Sequence, residues 1–211
     1  MANSMKLISK RCFPKATQVT DRFHVQKLAL EALQEIRIKH QWEAMDFENQ
    51  LILQAKRENQ TYIPELLANG DSVKQLLARS RYVLYKSREK WTENQNERAQ
   101  FLFGLYPDIK TAYYLSQQLR GIYNSNNDKH IAMTKLAHWY RNVEESGFKN
   151  FNILLNTITF NYRSILNYFD NRNTNAAAAE SFNAKIKAFR SQFRGVRKID
   201  FFLFRLSKLY A

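Results

Sequence analysis

Glu180, Asn183, Lys187 and Arg194 recur at helical spacing, while Phe182, Ile186, Phe189 and Phe193 form a separate stripe in the same stretch. One face of such a helix would bury rings. The other would present a carboxylate, an amide and cations, with Arg190 at the border. That set suits a divalent metal ion beside a phosphodiester, because carboxylate oxygen is a hard ligand for Mg²⁺ or Mn²⁺ and Lys and Arg hold the phosphates that the metal polarises. The same residues have a plainer reading. An acid in a first helical turn ordinarily answers the helix dipole, and a lysine seven residues on is ordinarily solvated. Asp21 and His24 make a second acid and imidazole pair, three residues apart. His40, His130 and His138 lack metal-ligand spacing and read as structural or exposed. The sequence has no glycine-rich phosphate loop, Ser-His-Asp grouping or nicotinamide fingerprint.

The elements that must position these groups are mostly helical. Only 5 Gly and 3 Pro punctuate 211 residues, too few for a barrel or sandwich of many short strands. Met5, Ile8 and Cys12 share helical spacing up to Pro14, with Cys12 read as a small core residue, and Ala16 to Thr20 reads as a brief strand ending at Asp21. Val25, Leu28, Ala29, Ala32, Leu33, Ile36 and Trp42 then mark a long amphipathic helix, continued by Leu51 to Ala55. Further helices are expected over 72–91, 97–105, 108–123, 129–146 and 151–169, broken at Asn69-Gly70-Asp71, Tyr106-Pro107, Asn124 to Asp128 and Gly147. Trp42, Trp91, Trp139, Tyr113 and Tyr114 read as core rings of this helical lobe. The polar run from Asp170 to Asn175 is a loop by composition, the helix bearing Glu180 follows and ends at Gly195, and Ile199 to Tyr210 is a final apolar and basic segment.

Charge narrows the partners. The formal net charge is +14, and from Ser181 to the end Lys185, Lys187, Arg190, Arg194, Arg197, Lys198, Arg205 and Lys208 face Asp200 alone, a net +7. Half the excess thus sits in the last 31 residues. A folded domain with that surplus attracts polyanions, nucleic acid first, through phosphate contacts that release counterions; a solvated basic face and an anionic membrane are the other readings. The most apolar stretch, Phe151 to Phe160, is about half the roughly 20 residues that a membrane helix needs. No secretion signal opens the sequence, and one cysteine excludes a disulfide framework. A cytoplasmic, nucleoid-associated location and no membrane partner are expected.

Asp21-Arg22-Phe23-His24-Val25-Gln26-Lys27, with Asn175 through Glu180-Ser-Phe-Asn-Ala-Lys-Ile-Lys and the run from Arg190 to Arg194-Gly195, resembles the DDE transposases of bacterial insertion sequences, in particular the ISL-type group. The resemblance also takes in Phe13-Pro14-Lys15-Ala16, Arg79-Ser80-Arg81 and Tyr106-Pro107, and so runs over essentially the whole chain. It implies a mostly α chain with a small α/β part: a partial RNase H-like fold at 1–44, an all-helical insertion at 45–170, and the catalytic helix and basic tail of the RNase H-like domain at 171–211. It implies an enzyme in which three carboxylates bind two divalent metals, Mg²⁺ or Mn²⁺, to cleave and join DNA strands at transposon ends and target, within a homo-oligomer. Glu180 matches the last acid of that triad and metal set. Asn183 matches an auxiliary companion, and Lys185, Lys187, Arg190, Arg194, Arg197 and Lys198 would lie along the DNA. Asp21 and His24 match either an auxiliary Asp-x-x-His element or, with Asp21 as a catalytic, metal-binding acid, the second triad position. On both alignments an upstream Asp precedes Met1, so a chain truncated at its N-terminus and inactive alone is expected. Four residues, Ala176 to Ala179, separate Asn175 from Glu180 where the family usually has three, which displaces the helix start. The alternative is a non-catalytic basic helical remnant that binds DNA or a full transposase.

Overall fold

The computed structural model describes residue 7 and residues 10–125, 128–170, 184–185, 187–192 and 198–210. The helices are α1 (Arg22–Arg57), α2 (Val73–Arg79), α3 (Arg81–Tyr85), α4 (Glu93–Leu105), α5 (Pro107–Asn124), α6 (Lys129–Ser146), α7 (Asn152–Asp170) and α8 (Ile199–Tyr210), with 3-10 turns at Arg88–Lys90 and Lys149–Phe151. The chain is mostly α, as the sparse Gly and Pro imply. It divides into two compact units, Met1–Asp170 and Asn171–Ala211.

Side-chain caps explain why the helices start where they do. Asp21 caps α1 through Phe23 N–H, and Asp128 caps α6 through Ile131 N–H. Ser72 with Gln75 and Thr92 with Gln95 each close a reciprocal capping box, which moves the start of α4 back to Glu93 from the expected residue 97. Gly147 ends α6 at φ +67°, a left-handed conformation in which a Cβ would be strained.

In the first unit α1 is the central post. It packs on α5, α2 and α7, while α6 lies on α5 and α7 and α4 lies on α5. Its buried stripe, Val25, Ala29, Ala32, Leu33 and Ile36, meets Leu76, Leu77, Leu119 and Leu154 in one core. Burying residues of this size contributes roughly 1.5–3 kcal/mol each. Two buried polar groups tie helices together. Arg37 donates from Nε to Gln34 Oε1 at 2.7 Å and from Nη1 to Leu77 O at 2.9 Å, so its charge sits among amide and carbonyl oxygens, and burial followed by Arg81 holds its pKa down. Asp71, 2% exposed, pairs with Arg79 and with Arg98 Nε at 3.0 Å, joining the 58–72 connection to α2 and α4.

Four sequence expectations need correction, the first being the single helix expected over 72–91, which breaks into α2, α3 and the 3-10 turn at Arg88–Lys90 because Lys86 and Ser87 take extended backbone. Residues 16–20 form no strand, and no strand occurs among the described residues. A strand needs a neighbouring edge to pair with. Here the extended segment instead spends its polar groups on α7: Thr20 N–H donates to Ser164 O at 2.8 Å, the two hydroxyls meet at 2.7 Å, and Asn167 Nδ2 donates to Gln18 O at 3.0 Å. The RNase H-like sheet expected around this segment is therefore not seen. Cys12 is exposed and not core. Trp42 and Tyr114 are also exposed, at 60% and 44%, whereas Trp139 and Tyr113 are fully buried and Trp91 is half-buried. A single helix runs through residues 44 and 45.

Candidate functional site

The described part of the site begins at the N-terminus of α1. Asp21 has extended backbone (φ −61°, ψ 136°) and turns one carboxylate oxygen onto Phe23 N–H at 3.2 Å. The other oxygen lies 3.7 Å from His24 Nδ1. His24 is 68% exposed and stands edge-on to the exposed Phe23 ring, so acid and imidazole share a solvent-facing first turn. Arg22 Nη1 reaches across to Asn124 Oδ1 at 3.3 Å, which fixes this turn against the end of α5. Behind it, burial pushes the Tyr123 phenol up, with Tyr168 and the Asp21 carboxylate adding to the effect.

In the second unit, residues 184–185 and 187–192 are helical. Phe189 is buried, with its ring 5.4 Å from Phe202 of α8, while Lys185, Lys187 and Arg190 are exposed around it. Of the expected ring face Phe189 alone falls among the described residues, and of the expected cationic face Lys187 does, with Arg190 at the border. Lys198 is exposed at the start of α8, and Phe202 N–H donates to its carbonyl at 3.2 Å. Along α8, Arg205 and Lys208 lie over the Phe201 and Phe204 rings, each at 6.0 Å. Glu180, Asn183, Arg194 and Arg197, together with Phe182, Ile186 and Phe193, lie outside the described residues.

Among the described residues no three His, Cys, Asp or Glu side chains are grouped to hold an ion. Asp21 and His24 supply two groups, and one Asp21 oxygen is already committed to the helix cap. The described residues by themselves do not fit a metal centre, and no reaction step rests on them as one. His40 bridges Glu43, at 3.1 Å, and Asp108, at 2.5 Å, and so links α1 to the first turn of α5 in a structural role.

One cluster escaped the sequence reading. Arg88, Lys90 and Arg120 line a cleft beside α5. The signal was present in Lys86-Ser87-Arg88-Glu89-Lys90-Trp91, a basic run ending in an indole, but the run sits inside a region read as continuous helix.

No described helix is long and apolar enough to cross a membrane. Neither a curated protein nor a solved structure matches the chain. The ISL3-type DDE family, described as transposase, matches residues 1–206, which span both compact units and every position of the acid and cation pattern. The chain belongs to the ISL3-type DDE transposase family.

Proposed function

We propose that this chain binds transposon-end and target DNA and serves the metal-dependent cleavage and joining of DNA strands. DDE transposases as a family use divalent metal ions. In this reading Glu180 and Asp21 supply carboxylates for Mg²⁺ or Mn²⁺, Asn183 and His24 are auxiliary, and Lys185, Lys187, Arg190, Arg194, Arg197 and Lys198 follow the phosphate backbone. The arrangement is a helical insertion, residues 45–170, between portions of an RNase H-like catalytic domain at 1–44 and 171–211, working in a homo-oligomer in the bacterial cytoplasm at the nucleoid. The observation that carries the DNA part is the exposure of Lys185, Lys187 and Arg190 around the buried ring of Phe189. Three cations kept in water on an anchored helix are free to replace counterions on a phosphate strand.

The test has two readouts. Fluorescence anisotropy with an end-sequence duplex should show affinity falling steeply with salt, and Lys187→Ala/Arg190→Ala should flatten that dependence by about 1.8, at about 0.9 per phosphate contact on duplex DNA. A response to salt that the double substitution leaves unchanged would overturn the DNA assignment. For the metal, Mn²⁺ binding followed by electron paramagnetic resonance should weaken in Glu180→Gln. Mn²⁺ binding that ignores this substitution would favour a non-catalytic module that binds DNA or another transposase chain.

A further inference from the structure

The turn at residues 85–91 and the outer face of α5 enclose a cleft of about 640 Å³, lined by Lys86, Arg88, Lys90 and Arg120 with Glu89 as the one acid. A smaller cleft of about 290 Å³, which adds Lys110, continues it and shares Arg88, Tyr113 and Tyr114. The walls are preorganised. Trp91 Nε1 donates to Val83 O at 2.9 Å, Arg120 Nη2 to Tyr85 O at 2.9 Å and Tyr113 Oη to Lys86 O at 3.0 Å, so three side chains take up carbonyls of α3 and of the turn that follows it. The rings of Trp91, Phe103 and Tyr113 pack behind it in tilted pairs with centroids 5.3–6.2 Å apart, and Tyr114, itself exposed, leans on them at 5.8 Å from Tyr113. Arg88, Lys90 and Lys110 are exposed, and none of their side chains donates a hydrogen bond or closes an ion pair to a described residue.

Exposed cations that close no ion pair with a described residue, beside an exposed ring on a fixed wall, match the chemistry of single-stranded nucleic acid, which offers a phosphate and a π face at every step. We propose that this cleft of the helical unit binds a segment of unpaired DNA, with phosphates over Arg88, Lys90 and Arg120 and a base against Tyr114. The inference rests on the reading of this transposase as a DNA binder and adds a second surface to the basic stretch of residues 185–198. Glu89 works against the phosphates. Its carboxyl is held ionised by its own backbone N–H, then by the Ser87 hydroxyl, with Lys90 and Arg120 contributing.

The experiment uses the full chain and a labelled oligothymidylate of about 12 nucleotides, inside the 4–16 nucleotides typical of single-strand sites, followed by anisotropy across a salt series. Arg88→Ala/Lys90→Ala is expected to lower the salt slope by about 1.4, at about 0.7 per single-strand phosphate. Tyr114→Ala should weaken binding about tenfold while Tyr114→Phe keeps it. Glu89→Gln should tighten binding, a gain that damage to the fold does not produce. If Lys187→Ala/Arg190→Ala weakens binding while the groove substitutions leave affinity and slope unchanged, the groove is overturned and DNA binding by the second unit stands. If the wild-type chain binds neither single-stranded nor duplex DNA, both readings fall.

Discussion

A buried hydroxyl stabilises a fold only where it has an acceptor, and two tyrosines of α5 differ on this point. Tyr113 donates to Lys86 O at 3.0 Å. The Tyr123 hydroxyl is buried with no partner among the described residues. Tyr113→Phe should therefore cost about 1 kcal/mol, and Tyr123→Phe should be neutral or stabilising by about the same amount, as read by urea titration. The two also set an alkaline limit. Burial, opposed by Arg120, pushes the Tyr113 phenol up to about 12, and burial raises Tyr123 as well. An unfolded tyrosine ionises near 10. Between about pH 10 and 12 the unfolded chain binds fewer protons than the folded one, so stability is full below pH 10 and falls as pH rises through that window. Melting temperature measured from pH 9 to 12 should drop less steeply in Tyr113→Phe. An equal drop would mean that this phenol is not the group responsible.

Element by element, Asp21 shows how one residue can hold structure and chemistry together. Its cap on α1 is a hydrogen bond that Asn also makes, whereas metal ligation needs the carboxylate. Asp21→Ala should cost about 1 kcal/mol and lower the melting temperature by about 2–4 °C. Asp21→Asn should leave the melt in place and, if the acid is a triad member, reduce Mn²⁺ affinity; unchanged affinity would assign Asp21 to the auxiliary Asp-x-x-His element. The helices were legible because apolar spacing, capping residues and Gly147 act locally, and α6 has the expected bounds. The capping box at Thr92 and Gln95 is equally local, and it places the start of α4 four residues before the expected 97. Trp42 was misplaced for a geometric reason. It follows Ile36 by six residues, which puts it about a third of a turn off the buried stripe. The segment 16–20 has the composition of a strand, but strand formation depends on a distant edge that no local pattern reveals.

Across the whole chain, the core of Met1–Asp170 is built from its own helices. A chain ending at Asp170 should unfold in one cooperative step by circular dichroism; a broad, non-cooperative melt would show that the first unit depends on residues beyond it. The buried Phe189 and the exposed Lys187 were legible from ring and charge spacing in a single helix. The cleft beside α5 was not, because Arg88 and Arg120 are 32 positions apart in sequence and meet only through packing. Finally, α1 carries 36 residues, about 54 Å at 1.5 Å per residue, without a break. Gaining or losing one residue inside it would swing everything downstream through about 100°, parting Glu48 from Lys74 and turning the distal half away from its seat. An added or deleted residue should therefore be tolerated better in the connection before Asp71 than anywhere between Arg22 and Arg57.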